Sequence, residues 1–159
     1  MKRTFWILAV VLASLVFAAP VLAQQKDLVD TAVAAGSFKT LAKLLGDADL
    51  INVMKGPGPF TVFAPTDEAF AKVPKETLDA LAKDKAKLAK VLQYHVLTSR
   101  WTTDDLKLVK RAGTAEGQSV TIAVSGGTIT INNAKIVKSD VGASNGVIQV
   151  IDAVLMPPK

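Results

Sequence analysis

The chain has 159 residues, with 19 basic against 14 acidic side chains and a formal charge of +5 at pH 7. It contains no cysteine, which excludes a disulfide framework and a lipid-modified cysteine anchor. One histidine in the whole chain leaves little material for histidine-based catalysis or for a zinc site.

The N-terminus opens with Lys2 and Arg3, then an apolar run from Phe5 to Ala19 continued by Pro20, Val21, Leu22 and Ala23. Val21 and Ala23 suit signal peptidase, so the sequence predicts a signal peptide over 1–23 and cleavage before Gln24. That assigns the product to the periplasm or the exterior. The alternative is a retained anchor, because the 19 residues from Phe5 to Ala23 border on spanning length. Pro20 and the polar Gln24-Gln25-Lys26 favour cleavage. Cleavage leaves 136 residues, one domain's worth, and removes two basic residues and no acids. The remaining +3 is too small to imply nucleic acid. The positive mean hydropathy of +0.33 is partly the leader's. Without disulfides, stability rests on packing.

From Asp27 to Leu45 the apolar residues fall at helical spacing, and Gly36-Ser37 divides them into two short helices, the second capped by Ser37. Gly46 ends that helix, and Asp49 starts a brief third one through Met54. Gly56-Pro57-Gly58-Pro59 then breaks the chain before a buried strand, Phe60 to Ala64. Pro65 blocks further pairing, Thr66 caps a helix, and Asp67 and Glu68 lie at its positive end. Beyond Pro74, residues 75–92 read as two helices meeting near Lys83-Asp84. Tyr94 to Leu97 reads as a short strand, and Thr102 or Thr103 caps a one-turn helix through Leu106.

The remainder is rich in strands. Val120, Ile122 and Val124 alternate with smaller residues; Ser125-Gly126-Gly127 turns the chain, and Ile129 and Ile131 resume the alternation. Asn132-Asn133 is a second turn, with Ile136 and Val137 beyond. A long apolar strand from Gly146 to Met156 closes the chain before Pro157-Pro158. Helices first and strands second give an α+β class. Phe60, Phe63, Phe70, Val147, Val150 and Leu155 are the expected core. Asn145-Gly146 is a turn in which Gly supplies positive φ. Asp152 interrupts an apolar strand and must lie at an edge or be paired by hydrogen bonds.

Three segments carry a resemblance. They are Phe60-Thr61-Val62-Phe63-Ala64-Pro65-Thr66-Asp67-Glu68-Ala69-Phe70, Leu92-Gln93-Tyr94-His95-Val96-Leu97, and Asn145 through Pro157. In order and separation they resemble the two sequence blocks and the intervening tyrosine-histidine motif of fasciclin-like domains, over essentially all of residues 24–159. The resemblance implies a wedge of two β-sheets with several short helices packed around it. It also implies a small secreted single-domain bacterial member, similar to the mycobacterial secreted antigens of the family, acting in adhesion or matrix binding without enzymatic activity or cofactor.

The residues themselves favour binding over catalysis. His95 would have to serve any nucleophilic triad, and no Gly-x-Ser-x-Gly elbow accompanies it. Asp47 and Asp49 lack the further oxygen ligands and glycine of a calcium loop, and Asp67-Glu68 and Asp104-Asp105 read as helix-start acids. In eukaryotic adhesion members, integrin contact is associated with the tyrosine-histidine motif and an Asp-Ile pair. Here Tyr94 and His95 match the first, and Asp140-Val141 stands at the second with Val for Ile. These four form one expected interaction patch. Lys83, Lys85, Lys87 and Lys90 form either a cationic stripe for anionic polysaccharide or an ordinary solvated helix face. Lys107, Lys110 and Arg111 carry the same ambiguity, and Trp101 either anchors a partner or folds back onto the helices. Two other classes stay open. One is a small-ligand or lipid binder using a cleft between helices and sheet, and the other a hydrolase with His95 as base.

Overall fold

The computed structural model describes residues 25–158. The expected signal peptide and its cleavage point lie outside the described residues. Three helices open the fold: α1 (Leu28–Ala35), α2 (Lys39–Asp47) and α3 (Ile51–Met54). Asp27 caps α1 by accepting from the Asp30 N–H at 2.9 Å, and Gly36 ends it in the left-handed conformation at φ 75°. Leu28, Val29, Leu41, Leu44 and Met54 are buried, so these helices turn their apolar sides inward.

Two expected caps are replaced by other residues. The Ser37 side chain does not cap α2. Instead the Asp67 carboxylate accepts from the N–H of Thr40 at 2.8 Å and of Lys39 at 3.3 Å, while the Ser37 carbonyl accepts from the Asp67 N–H. Asp49 does not cap α3 either; it sits at φ 56°, and Leu50 precedes the helix. Where a distant carboxylate already meets the exposed N–H groups, a local hydroxyl has no role left.

The sheet comprises β1 (Phe60–Pro65), β2 (Val96–Leu97), β3 (Arg111–Gly113), β4 (Ser119–Ser125), β5 (Thr128–Ile131), β6 (Ala134–Ala143) and β7 (Gly146–Ile151). Its seven strands are ordered β2-β1-β7-β6-β5-β4-β3. All pairs are antiparallel except β1 with β7, which bring the first and last segments of the domain side by side. The two arms of the wedge share β6. Its start pairs with β5, its length pairs with β7, and its register shifts on either side of Lys138. Asp140, at φ 55°, lies within the second shift.

Four further helices complete the α+β fold: α4 (Asp67–Ala71), α5 (Lys75–Lys83), α6 (Lys85–Tyr94) and α7 (Thr103–Leu108). Thr66 caps α4 through the Ala69 N–H, and Asp84 caps α6 through the Lys87 N–H. Thr102 and Asp105 form a reciprocal capping box on α7. Two apolar clusters flank the sheet. One joins α1, α2 and α6 to β1 and β7 through Phe38, Leu41, Leu92, Ile148 and Val150. The other gathers Phe63, Tyr94, Leu106, Val120, Ile131 and Ile151. A side chain such as Ile151, fully buried, contributes about 1.5–3 kcal/mol relative to exposure.

Several boundaries differ from expectation. Helix α6 continues through Tyr94, so the expected Tyr94–Leu97 strand shrinks to Val96–Leu97 and His95 becomes the helix C-cap. Strand β7 stops at Ile151 rather than Met156, because Asp152 turns the chain. Its carboxylate accepts from the Lys135 N–H at 2.8 Å, and its own N–H donates to the Lys135 carbonyl. Leu155 is nevertheless buried with Phe63, Phe70, Val147 and Val150, while Phe60 is only half-buried. In β1 it is Thr61 that is wholly buried, its hydroxyl donating to the Ser99 carbonyl and accepting from the Trp101 N–H. Pro65 does pair, as the last residue of β1 opposite Ile151. Gly146 does not have positive φ; its lack of a side chain matters because an added Cβ would overlap the Phe60 carbonyl oxygen.

Candidate functional site

Tyr94 and His95 lie where α6 gives way to β2, and both are 2% exposed. The His95 Nδ1 is 2.7 Å from the Val91 carbonyl, and Nε2 is 2.9 Å from the Leu155 N–H. The first contact requires a donor and the second an acceptor, which fixes the neutral tautomer with the proton on Nδ1. Burial pushes the imidazole down to about 4, against the small opposing effect of the Val91 hydrogen bond. A ring with both nitrogens committed to backbone has none left to activate a nucleophile. The Tyr94 hydroxyl donates to the Ser119 carbonyl at 3.3 Å and accepts from the Asn132 amide at 3.0 Å. Asn132 in turn accepts from the Thr121 N–H at 2.8 Å. Together the pair ties α6 to β4, to the β5–β6 turn and to the C-terminal segment.

Asp140 is exposed, in contrast to Tyr94 and His95. One carboxylate oxygen accepts from the Thr103 N–H at 2.8 Å and the Gln149 amide at 2.9 Å, and the other accepts from the Thr103 hydroxyl. The wholly buried Gln149 returns a hydrogen bond by accepting from the Asp140 N–H and also donates to the Trp101 carbonyl. Partial burial raises the Asp140 carboxyl, but the bonds from Thr103 and Gln149 outweigh it and hold it below the usual range. Val141 is half-buried and packs against the helical cluster. The four residues therefore do not share one surface: two are interior struts, and Asp140 is a surface latch between β6 and the start of α7. Trp101 folds back, half-buried against the second cluster.

Lys83, Lys85, Lys87 and Lys90 are all exposed along the end of α5 and the length of α6. Lys85 is ion-paired with Asp49, and Lys87 with Asp84 at 3.1 Å. Among the described residues, Lys83 and Lys90 make no ion pair. The stripe is thus partly neutralised by its neighbours.

Two openings bear on ligand binding. Between α1, α2, α6 and the sheet lies an apolar cavity lined by Leu28, Leu41, Met54, Leu92 and Ile148, with a volume of about 30 Å³. That holds little more than one water and no acyl chain. A larger polar cleft of about 440 Å³ opens over Tyr94, between Arg111, Thr121, Asn133 and the C-terminal segment. Nothing in the local sequence around Arg111 or Asn133 links either residue to Tyr94. Strand β3, only three residues long, gives too weak a periodic signal to place Arg111 opposite Thr121.

Comparison with known proteins agrees with this architecture. A family model described as Fasciclin domain matches residues 36–157. The chain is 43% identical over 130 residues to Protein sll1483 of Synechocystis sp., covering 79% of this chain and 72% of that protein. It is 39% identical over 101 residues to Immunogenic protein MPB70 of Mycobacterium bovis, covering 64% of this chain and 51% of that one. Among solved structures, a FAS1 domain pair from the insect cell adhesion molecule Fasciclin I superposes with a TM-score of 0.63 at 20% identity. That match covers 77% of this chain and 46% of the insect chain, and it shows the shared fold. With the three sequence segments joined in one wedge and the family model spanning nearly all the described residues, the chain belongs to the Fasciclin domain family.

Proposed function

We propose that this protein is a secreted or periplasmic binding module, non-enzymatic, that acts in adhesion by holding an extracellular or envelope protein or an anionic polysaccharide. The observation that carries the reading is the interior position of His95. The single histidine of the chain is committed to Val91 and Leu155, in a fold shared with an insect cell adhesion molecule. Recognition then falls to side chains on a rigid scaffold. Tyr94 and His95 contribute by bracing it, and Asp140, Val141 and the α5–α6 lysines contribute contacts.

The test is capture of partners by the protein from envelope and extracellular-matrix fractions. An Asp140→Ala variant and a Lys83/Lys85/Lys87/Lys90→Gln variant, each checked for folding, are run beside it. Loss of a captured partner in either variant supports that surface. Undiminished capture by both folded variants removes them from the reading, and turnover of a substrate by the protein would overturn the non-enzymatic part of it, with a folded His95→Gln variant showing whether His95 takes part.

A further inference from the structure

The polar cleft over Tyr94 has the composition of a ligand site and a floor that is already braced. Arg111 stands opposite Thr121 in the β3–β4 ladder, and Gly113 stands opposite Ser119. Arg111, Thr121 and Ser119 therefore project from one face of the sheet. Gly113 leaves open space beside them. Beneath, a continuous chain of hydrogen bonds runs from the Thr121 N–H through the Asn132 amide and the Tyr94 hydroxyl to the Ser119 carbonyl. Asn133 follows on the turn, and Val154 and Met156 supply an apolar wall, Met156 being 40% exposed. Among the described residues, no carboxylate side chain lines the cleft and Arg111 makes no ion pair. A volume of about 440 Å³ is within the range of small-ligand sites.

We propose that this cleft binds a carboxylated sugar unit of an anionic polysaccharide. The Arg111 guanidinium takes the carboxylate in its planar two-donor geometry. The hydroxyls of Ser119 and Thr121 and the Asn133 amide meet ring hydroxyls, and Val154 and Met156 cover the C–H face. Among the described residues, one cation set among hydroxyls and an amide matches a ring with one carboxylate and several hydroxyls. An acidic peptide would instead call for several cations, and the three residues of β3 are a short edge for an added strand. The inference rests on the binding-module reading and gives it a site built from residues other than the α5–α6 lysines.

The experiment is a titration of the ¹⁵N-labelled protein with tetragalacturonate, its methyl ester and tetraglutamate. It is repeated on Arg111→Gln and on Lys87→Gln/Lys90→Gln. The expected result is shift changes centred on Arg111, Thr121 and Asn133 with tetragalacturonate. Affinity should fall about tenfold or more for the ester and for Arg111→Gln, as loss of a charge-assisted contact implies. The lysine variant should keep the same shifts. Equal binding of the ester, unchanged affinity in Arg111→Gln, tighter binding of tetraglutamate, or shifts confined to α6 would each overturn the proposal. So would an absence of any binding; if the protein still captured a protein partner from envelope fractions, the binding-module reading would survive without this cleft.

Discussion

Protonating His95 would put a charge into an apolar interior and remove the acceptor used by the Leu155 N–H. The folded imidazole titrates near 4 and the unfolded one near its ordinary value of 6.5. Between those values the unfolded chain binds more protons, so stability is complete above 6.5 and is lost as pH falls toward 4. Integrated over the window the loss is roughly 3 kcal/mol. The chain has one histidine, and the lowered carboxyls of Asp67 and Asp140 add their own loss only as pH falls below about 5. Urea unfolding from pH 7.5 to about 5.5 should show the onset of the histidine's share, and a folded His95→Gln variant should not. A second residue-scale expectation concerns Gly146, where a Cβ would meet the Phe60 carbonyl and force the β1–β7 ladder apart. Gly146→Ala should lower stability by about 3 kcal/mol or prevent folding, in the manner of overpacked sites, as measured by thermal melting. Tyr94 and His95 were visible in sequence as a motif, but the motif cannot say which way its side chains face. A helix that runs two residues further reverses the answer.

At the scale of elements, the caps and ties are long-range where sequence suggested local ones. Partial burial raises the Asp67 carboxyl, yet the bonds from Thr40 and Lys39 hold it below the usual range. Asp67→Ala should cost about 1 kcal/mol, the ordinary value of a lost cap, while Ser37→Ala should be nearly neutral. Denaturant titration of the two variants distinguishes the near residue from the far one. Asn145 performs a similar task for α1 and α3. Its side-chain oxygen accepts from the Leu28 N–H at 2.9 Å, and its amide donates to the carbonyls of Met54 and Gly56 at 2.7 and 2.9 Å. Asn145→Ala strands three backbone groups and should cost about 2–4 kcal/mol, read from the same titration. The α4 and α7 caps were legible because Thr66 and Thr102 bond within their own first turns. That of α2 depends on a residue 27 positions away, and the start of α1, capped locally by Asp27, is tied further by one 117 positions away.

Across the whole molecule, charge and burial divide the labour. The described surface carries lysines on α5 and α6 and the Arg111 cleft on the strands, while the interior holds the tyrosine-histidine motif. Lys85 and Lys87 are paired with Asp49 and Asp84, so any polysaccharide affinity of that helix face should be modest. It should weaken steeply as salt rises from 50 to about 500 mM, over which screening shortens severalfold. Retention on an anionic polymer column at stepped salt measures this; salt-insensitive retention would remove the helix face from the account. The α+β class, the family, the chain order of helices and strands, and the paucity of catalytic material are legible in the residues alone. Those depend on periodicity, turn residues and composition, which are local. Packing of the whole chain sets β1 parallel to β7 and makes β6 the join between the two arms. It also decides that Tyr94 and His95 are struts, that Asp67 caps a helix from another segment, and that Arg111 faces a braced cleft. Each of these depends on contacts between distant residues, and the segment from Phe60 to Phe70 illustrates the division. Its own residues named the family, while its Thr61 and Asp67 acquired their roles only from what packs against them.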